Sequence, residues 1–173
     1  MNTFSVAIAS LLLLTSGGSL AMAAQTLPGG ATSLSEKHDD WTVRCGIQNQ
    51  SVACAARQQQ VDPQSRRRTI ALEVRLDKDT LTGSILMPFG LDLSKGVTLG
   101  VDAAAAATPL PFQTCVPGGC LAPFSLGADW VKALRSGSTL TVKSVAVNGA
   151  EAKFTLSLKG LGGSLDRIAE LTK

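Results

Sequence analysis

Four cysteines stand in two couples, Cys45 with Cys54 and Cys115 with Cys120, and they are the residues whose type and spacing offer the most chemistry. Sulfur at such intervals can close disulfides, hold zinc or exchange electrons. A four-cysteine zinc site usually takes two closely spaced pairs of the C-x2-4-C kind, and only the Cys115/Cys120 couple has that spacing. A thiol oxidoreductase works through C-x-x-C with a lowered thiolate pKa, and neither couple is spaced that way. Disulfides are the remaining chemistry. Of the three connectivities that four cysteines allow, the two local ones are favoured, Cys45 with Cys54 and Cys115 with Cys120, because each couple flanks a turn-like segment. In the chain-entropy model such short loops stabilise by roughly 2–3 kcal/mol each.

Other reactive constellations are sparse in the sequence. The one histidine, His38, lies in a stretch that reads as a linker, which argues against His-based triads and multi-His metal sites. There is no G-x-S-x-G elbow and no Ser followed three residues later by Lys, the commonest signatures of serine acyl-enzymes. Gly160-Leu161-Gly162-Gly163 has the glycine content of a phosphate loop but not its Lys-Ser/Thr ending. Carboxylates are scattered singly. The residues therefore predict a protein that is not an enzyme and needs no cofactor. Arg66, Arg67 and Arg68 are three adjacent cations in a polar loop, either a contact for an acidic partner or anionic lipid, or charges that keep a sheet edge soluble.

The segments that must position these residues begin with an apolar run, Phe4 to Leu14, closed by Ala21-Met22-Ala23. This small-x-small ending predicts a secretory signal peptide over residues 1–23, with the run too short to cross a bilayer as a helix. An exported chain with an even number of cysteines is expected to be oxidised. Residues 24–38 lack periodicity and predict a flexible leader; residues 39–173 then fit a single disulfide-stapled domain with a sizeable core. No charged residue precedes position 24, so the balance of 16 − 13 = +3 belongs to the rest of the chain. That mild excess gives no ground for a nucleic-acid partner, which needs clustered basic residues on one face.

Alternation carries the fold prediction. Trp41 to Cys45 and Val52 to Gln60 read as paired strands. Ile70, Leu72, Val74 and Leu76 alternate with Ala71, Glu73, Arg75 and Asp77, giving one core face and one wet face. Leu81 to Met87 and Val97 to Val101 are further strands, and the alanine tract Ala103–Ala107 reads as a connection. Pro117-Gly118-Gly119 is a turn that brings its flanking cysteines together, with Phe112 and Phe124 placed to pack below. Asp129 to Arg135 has helical spacing. Leu140–Val147 and Ala152–Leu158 form a hairpin around Asn148-Gly149, and Ser164–Leu171 a short terminal helix. The expected architecture is all-β, an antiparallel sandwich or barrel of about eight or nine strands with one or two short helices.

Several of these stretches together resemble the invasion-associated locus B family of exported bacterial proteins. They are Trp41 to Cys45 with Cys54, the run from Met87-Pro88-Phe89-Gly90-Leu91 to Val97, and the Pro111-to-Cys120 clasp. Leu134-Arg135-Ser136-Gly137 and Ser157-Leu158-Lys159-Gly160-Leu161 extend the likeness; the Ala103–Ala107 tract departs from it. The resemblance implies a periplasmic protein, or one on the outer membrane or in the medium, whose named relatives contribute to invasion of host cells; it carries over no catalytic residue. Two functions follow as expectations. One is a non-catalytic binding protein that meets an envelope or host-surface protein, or an anionic surface, with Arg66, Arg67 and Arg68 as candidate contacts. The other is a housekeeping, assembly or stress module of the periplasm with no host partner.

Overall fold

The computed structural model describes residues 26–102 and 109–173; the signal-peptide reading, the first two residues of the leader reading and the whole alanine-tract reading fall on residues outside that set. Among the described residues, ten strands form two antiparallel sheets. Five of them, β1 (Ser33–His38), β2 (Trp41–Gln48), β3 (Ser51–Val61), β4 (Arg68–Asp77) and β5 (Thr80–Met87), meander as consecutive neighbours. Tight turns explain the meander. Asp39, Asn49 and Lys78 open three two-residue hairpin loops with positive φ, the conformation whose twist matches that of the flanking strands. Past β6 (Thr98–Val101), the clasp strands β7 (Thr114–Val116) and β8 (Gly119–Leu126) complete a seven-stranded sheet in the order β1-β2-β3-β4-β5-β8-β7. Helix α1 (Ala128–Ser136) leads to β9 (Thr139–Val145) and β10 (Glu151–Ser157), which form the second sheet in the order β10-β9-β6; α2 (Leu161–Leu171) ends the chain.

The antiparallel all-β expectation holds, in an open two-layered form. The large sheet directs Val43, Ala56, Leu72, Val74 and Ile85 into one core with Leu99 and Val142 of the small sheet and Leu165 and Ile168 of α2. Each such Val, Leu or Ile side chain removed from water stabilises by about 1.5–3 kcal/mol. Trp41 is completely buried, and its indole N–H donates to the Ser157 carbonyl at 3.0 Å, joining the two sheets. Gln58, also buried, donates to the same carbonyl at 2.9 Å. Buried polar groups need such partners.

Residues 24–38, read in sequence as a leader, require correction. Ser33–His38 is an edge strand in register with β2, from Ser33 opposite Gly46 to His38 opposite Trp41, and Leu27 is 1% exposed. An edge strand needs only half its residues against the core, so its polar alternation hides it. The terminal helix also begins three residues earlier than its periodicity predicts, at Leu161. Gly160, at φ 91°, makes the sharp entry, and a Cβ there would collide with the His38 carbonyl oxygen.

Candidate binding surface

Both local disulfides are present, Cys45–Cys54 and Cys115–Cys120. Each joins residues directly opposite one another across a hairpin, with Cα atoms 4.1 Å and 3.9 Å apart, as befits the closer of the two kinds of antiparallel pair. The first lies in the core, at 7% and 5% exposure. The second is at the sheet margin, where Cys120 is buried and Cys115 exposed. Positive φ in the clasp falls at Gly119. There a Cβ would strike the Met87 carbonyl, so glycine lets the turn close against β5. Phe124 is buried as predicted, while Phe112 packs partly buried against the core.

The arginine loop and the clasp meet at one end of the large sheet. Residues 62–67 connect β3 to β4. The loop is held by Asp62 N–H donating to the Arg67 carbonyl at 2.8 Å and Arg66 N–H donating to the Asp62 carbonyl at 2.9 Å. The Asp62 carboxylate accepts from the N–H groups of Ser65 at 2.6 Å and Gln64 at 3.1 Å. These bonds hold its carboxyl below the usual aspartate range. The three arginines are not equivalent. Arg68 is half-buried, and its guanidinium donates to the Gly118 carbonyl of the clasp turn at 3.4 Å. Arg66 and Arg67 are exposed, and their guanidinium groups form no hydrogen bond or ion pair with any described residue.

Beside the clasp lies an apolar feature not singled out from the sequence as a contact surface. Phe89, in the turn after β5, is 60% exposed; Val147, at the β9–β10 turn, is 75% exposed. The two turns are joined, because Val147 N–H donates to the Gly90 carbonyl at 3.0 Å. The signal was a large apolar residue inside each turn motif, Pro88-Phe89-Gly90 and Val147-Asn148-Gly149, where core packing is not available.

Elsewhere, a shallow polar hollow of ≈ 300 Å³ on the outer face is lined by residues including Arg44, Arg57 and Asp40. The lone histidine sits against α2. His38 Nε2 is 3.6 Å from Glu36 Oε2, and Glu36 takes two hydrogen bonds from Arg167, at 2.8 and 2.9 Å, while Arg167 also reaches Glu170 at 2.7 Å. The Arg167 hydrogen bonds hold the Glu36 carboxyl below its ordinary range. This cluster ties the edge strand to the terminal helix. Among the described residues no group of three or more His, Cys, Asp or Glu side chains could hold a metal ion, and no helix is long and apolar enough to cross a membrane.

Comparison with known proteins places these features in a family context. The profile of the family described as "Invasion associated locus B (IalB) protein" matches residues 41–169. An invasion protein B homolog of Brucella abortus (strain 2308) is 44% identical over 169 residues, covering 96% of this chain and 97% of the relative. Invasion protein B of Bartonella bacilliformis is 36% identical over 152 residues, covering 86% and 81% respectively. The crystal structure of invasion associated protein B from Bartonella henselae superposes with a TM-score of 0.75 at 32% identity, over 80% of this chain and 96% of that one.

Proposed function

The chain belongs to the invasion associated locus B family, and from that premise we propose that it is an exported, non-catalytic binding protein of the bacterial envelope whose partner is an envelope or host-surface component. The observation that carries the reading is the clasp end of the large sheet. Apolar and cationic side chains there are presented outward on turns fixed by backbone hydrogen bonds and a disulfide. A rigid frame of this kind lowers the entropy cost of binding. The two disulfides support the same reading, since paired thiols in a small domain are typical of exported proteins. The relatives' names, invasion protein B and its homolog, support a setting at contact with a host cell.

Affinity capture tests the proposal. The oxidised protein is immobilised and offered solubilised bacterial envelope and, separately, host-cell membranes. Retention of a defined component that survives stringent washing is expected. Retention of nothing from either source, or consumption of a substrate from the extracts, would refute a binding role. Mass spectrometry of the protein recovered from cells tests export: an amino terminus at Ala24 and no alkylatable thiol are expected.

A further inference from the structure

The clasp end holds more than the three arginines that suggested it. From Val61, whose strand position pairs with Arg68, the surface passes through the Arg68–Gly118 hydrogen bond to the clasp turn. Val116 pairs there with Gly119, which abuts the Met87 carbonyl. Two residues beyond Met87 is Phe89, and the bond from Val147 to Gly90 completes the path. Along it Val61 is 45%, Val116 38%, Phe89 60% and Val147 75% exposed. One end of the molecule therefore gathers exposed apolar side chains from several separate segments beside two uncommitted arginines.

The arginine loop at this end is net positive, and Asp92, near Phe89, is offset by the neighbouring Lys95. Residues 61–68 contain three arginines and one aspartate, 3 − 1 = +2, and the Asp62 carboxylate is engaged by its own loop. Glu151, at the start of β10, is ion-paired with Lys143 at 3.0 Å. The apolar groups sit on two separate turns, Phe89 and Val147, and at two strand ends, Val61 and Val116, rather than lining one groove. Scattered apolar tips flanked by arginines suit a fluid, negatively charged interface, into which aromatic and aliphatic groups insert shallowly while guanidinium groups stay at headgroup level. An acidic protein would instead need a surface shaped to receive each tip.

We propose that this end of the molecule docks on an anionic lipid surface, with Phe89 and Val147 entering the interface and Arg66 and Arg67 bound to the headgroups. Arg68 has a supporting part, since its guanidinium is engaged at Gly118 and holds the loop against the clasp. This names the partner chemistry of the binding surface and so rests on the function proposed above.

Co-sedimentation with vesicles tests it. The purified protein is mixed with vesicles of phosphatidylcholine alone and of phosphatidylcholine with phosphatidylglycerol, at low and physiological salt. Binding to the anionic vesicles alone is expected, weakening as salt rises and the screening length falls to about 8 Å. An R66S/R67S variant is expected to bind about 25-fold more weakly, at roughly five-fold per cation near such a surface, whereas R66K/R67K keeps most of the binding. F89S/V147S is expected to lose binding at both salts. R44S/R75S removes the same charge from the outer face of the sheet and leaves binding unchanged. Retained disulfides and an unaltered circular dichroism spectrum show that each variant is folded. Equal weakening in R44S/R75S, full binding by R66S/R67S, or no binding of the parent protein to anionic vesicles would each overturn the inference. If the parent protein ignores vesicles yet captures a protein through this end, the lipid inference fails while the binding function stands.

Discussion

Trp41 shows how much one residue contributes here. Its ring fills the junction of both sheets and its N–H satisfies the Ser157 carbonyl, which also receives Gln58. Trp41→Phe keeps a ring and leaves that carbonyl one donor, so a loss of about 1–3 kcal/mol is expected, against about 3–5 kcal/mol for Trp41→Ala; urea unfolding midpoints would measure both. Glu36 carries a pH dependence of definite sign. Its carboxyl is lowered by the Arg167 hydrogen bonds, so the pair stabilises above the unfolded glutamate value of about 4.3, and the contribution disappears as pH falls through the lower folded value. Arg167→Ala is therefore expected to unfold at lower urea than the parent near neutral pH, and the two midpoints should converge in strong acid. A constant gap down to pH 2 would count against this account. Neither partner could be matched from the sequence, because 131 positions separate them and no local pattern relates an isolated Glu to an isolated Arg.

Among the elements, the two stapled hairpins make a controlled comparison. Their loops are short, so removing either disulfide should cost about 2–3 kcal/mol through chain entropy. The Cys45Ser/Cys54Ser pair also puts hydroxyls into the core and is expected to cost more than Cys115Ser/Cys120Ser. Losing the marginal clasp should show as faster amide exchange confined to Thr114–Val116 and its turn, because β7 is three residues long and pairs only with β8. Gly160 is the second sensitive point. Alanine there meets both a left-handed backbone and the His38 carbonyl, so a loss of about 2–4 kcal/mol is expected in urea unfolding. The disulfides could be read from spacing because each is a local event within one hairpin. The division of the arginine loop could not: Arg68 differs from its neighbours only because Gly118, fifty positions later, receives it.

At the scale of the whole molecule, the amino-terminal segment is part of the sheet. A chain beginning at Asp39 would lose β1, the buried Leu27 and the Glu36–Arg167 pair, and would bare the edge of β2. An open edge invites pairing with other chains, so such a chain is expected to unfold at lower urea and to self-associate in light scattering; a monomer of unchanged stability would show β1 to be dispensable. The sequence by itself determined what short range governs: the alternating strands from Trp41 onward, the hairpin turns, the two cysteine couples and the helix over Asp129–Arg135. Those signals depend on neighbours a few positions apart, whose periodicity and turn chemistry act before the chain closes on itself. Tertiary structure alone decided the strand at Ser33–His38, the start of the last helix at Leu161 and the gathering of Phe89, Val147 and the arginines at one end. Each depends on which distant segments lie side by side once two layers have closed over a common core, and no spacing between neighbouring residues encodes contacts across such distances.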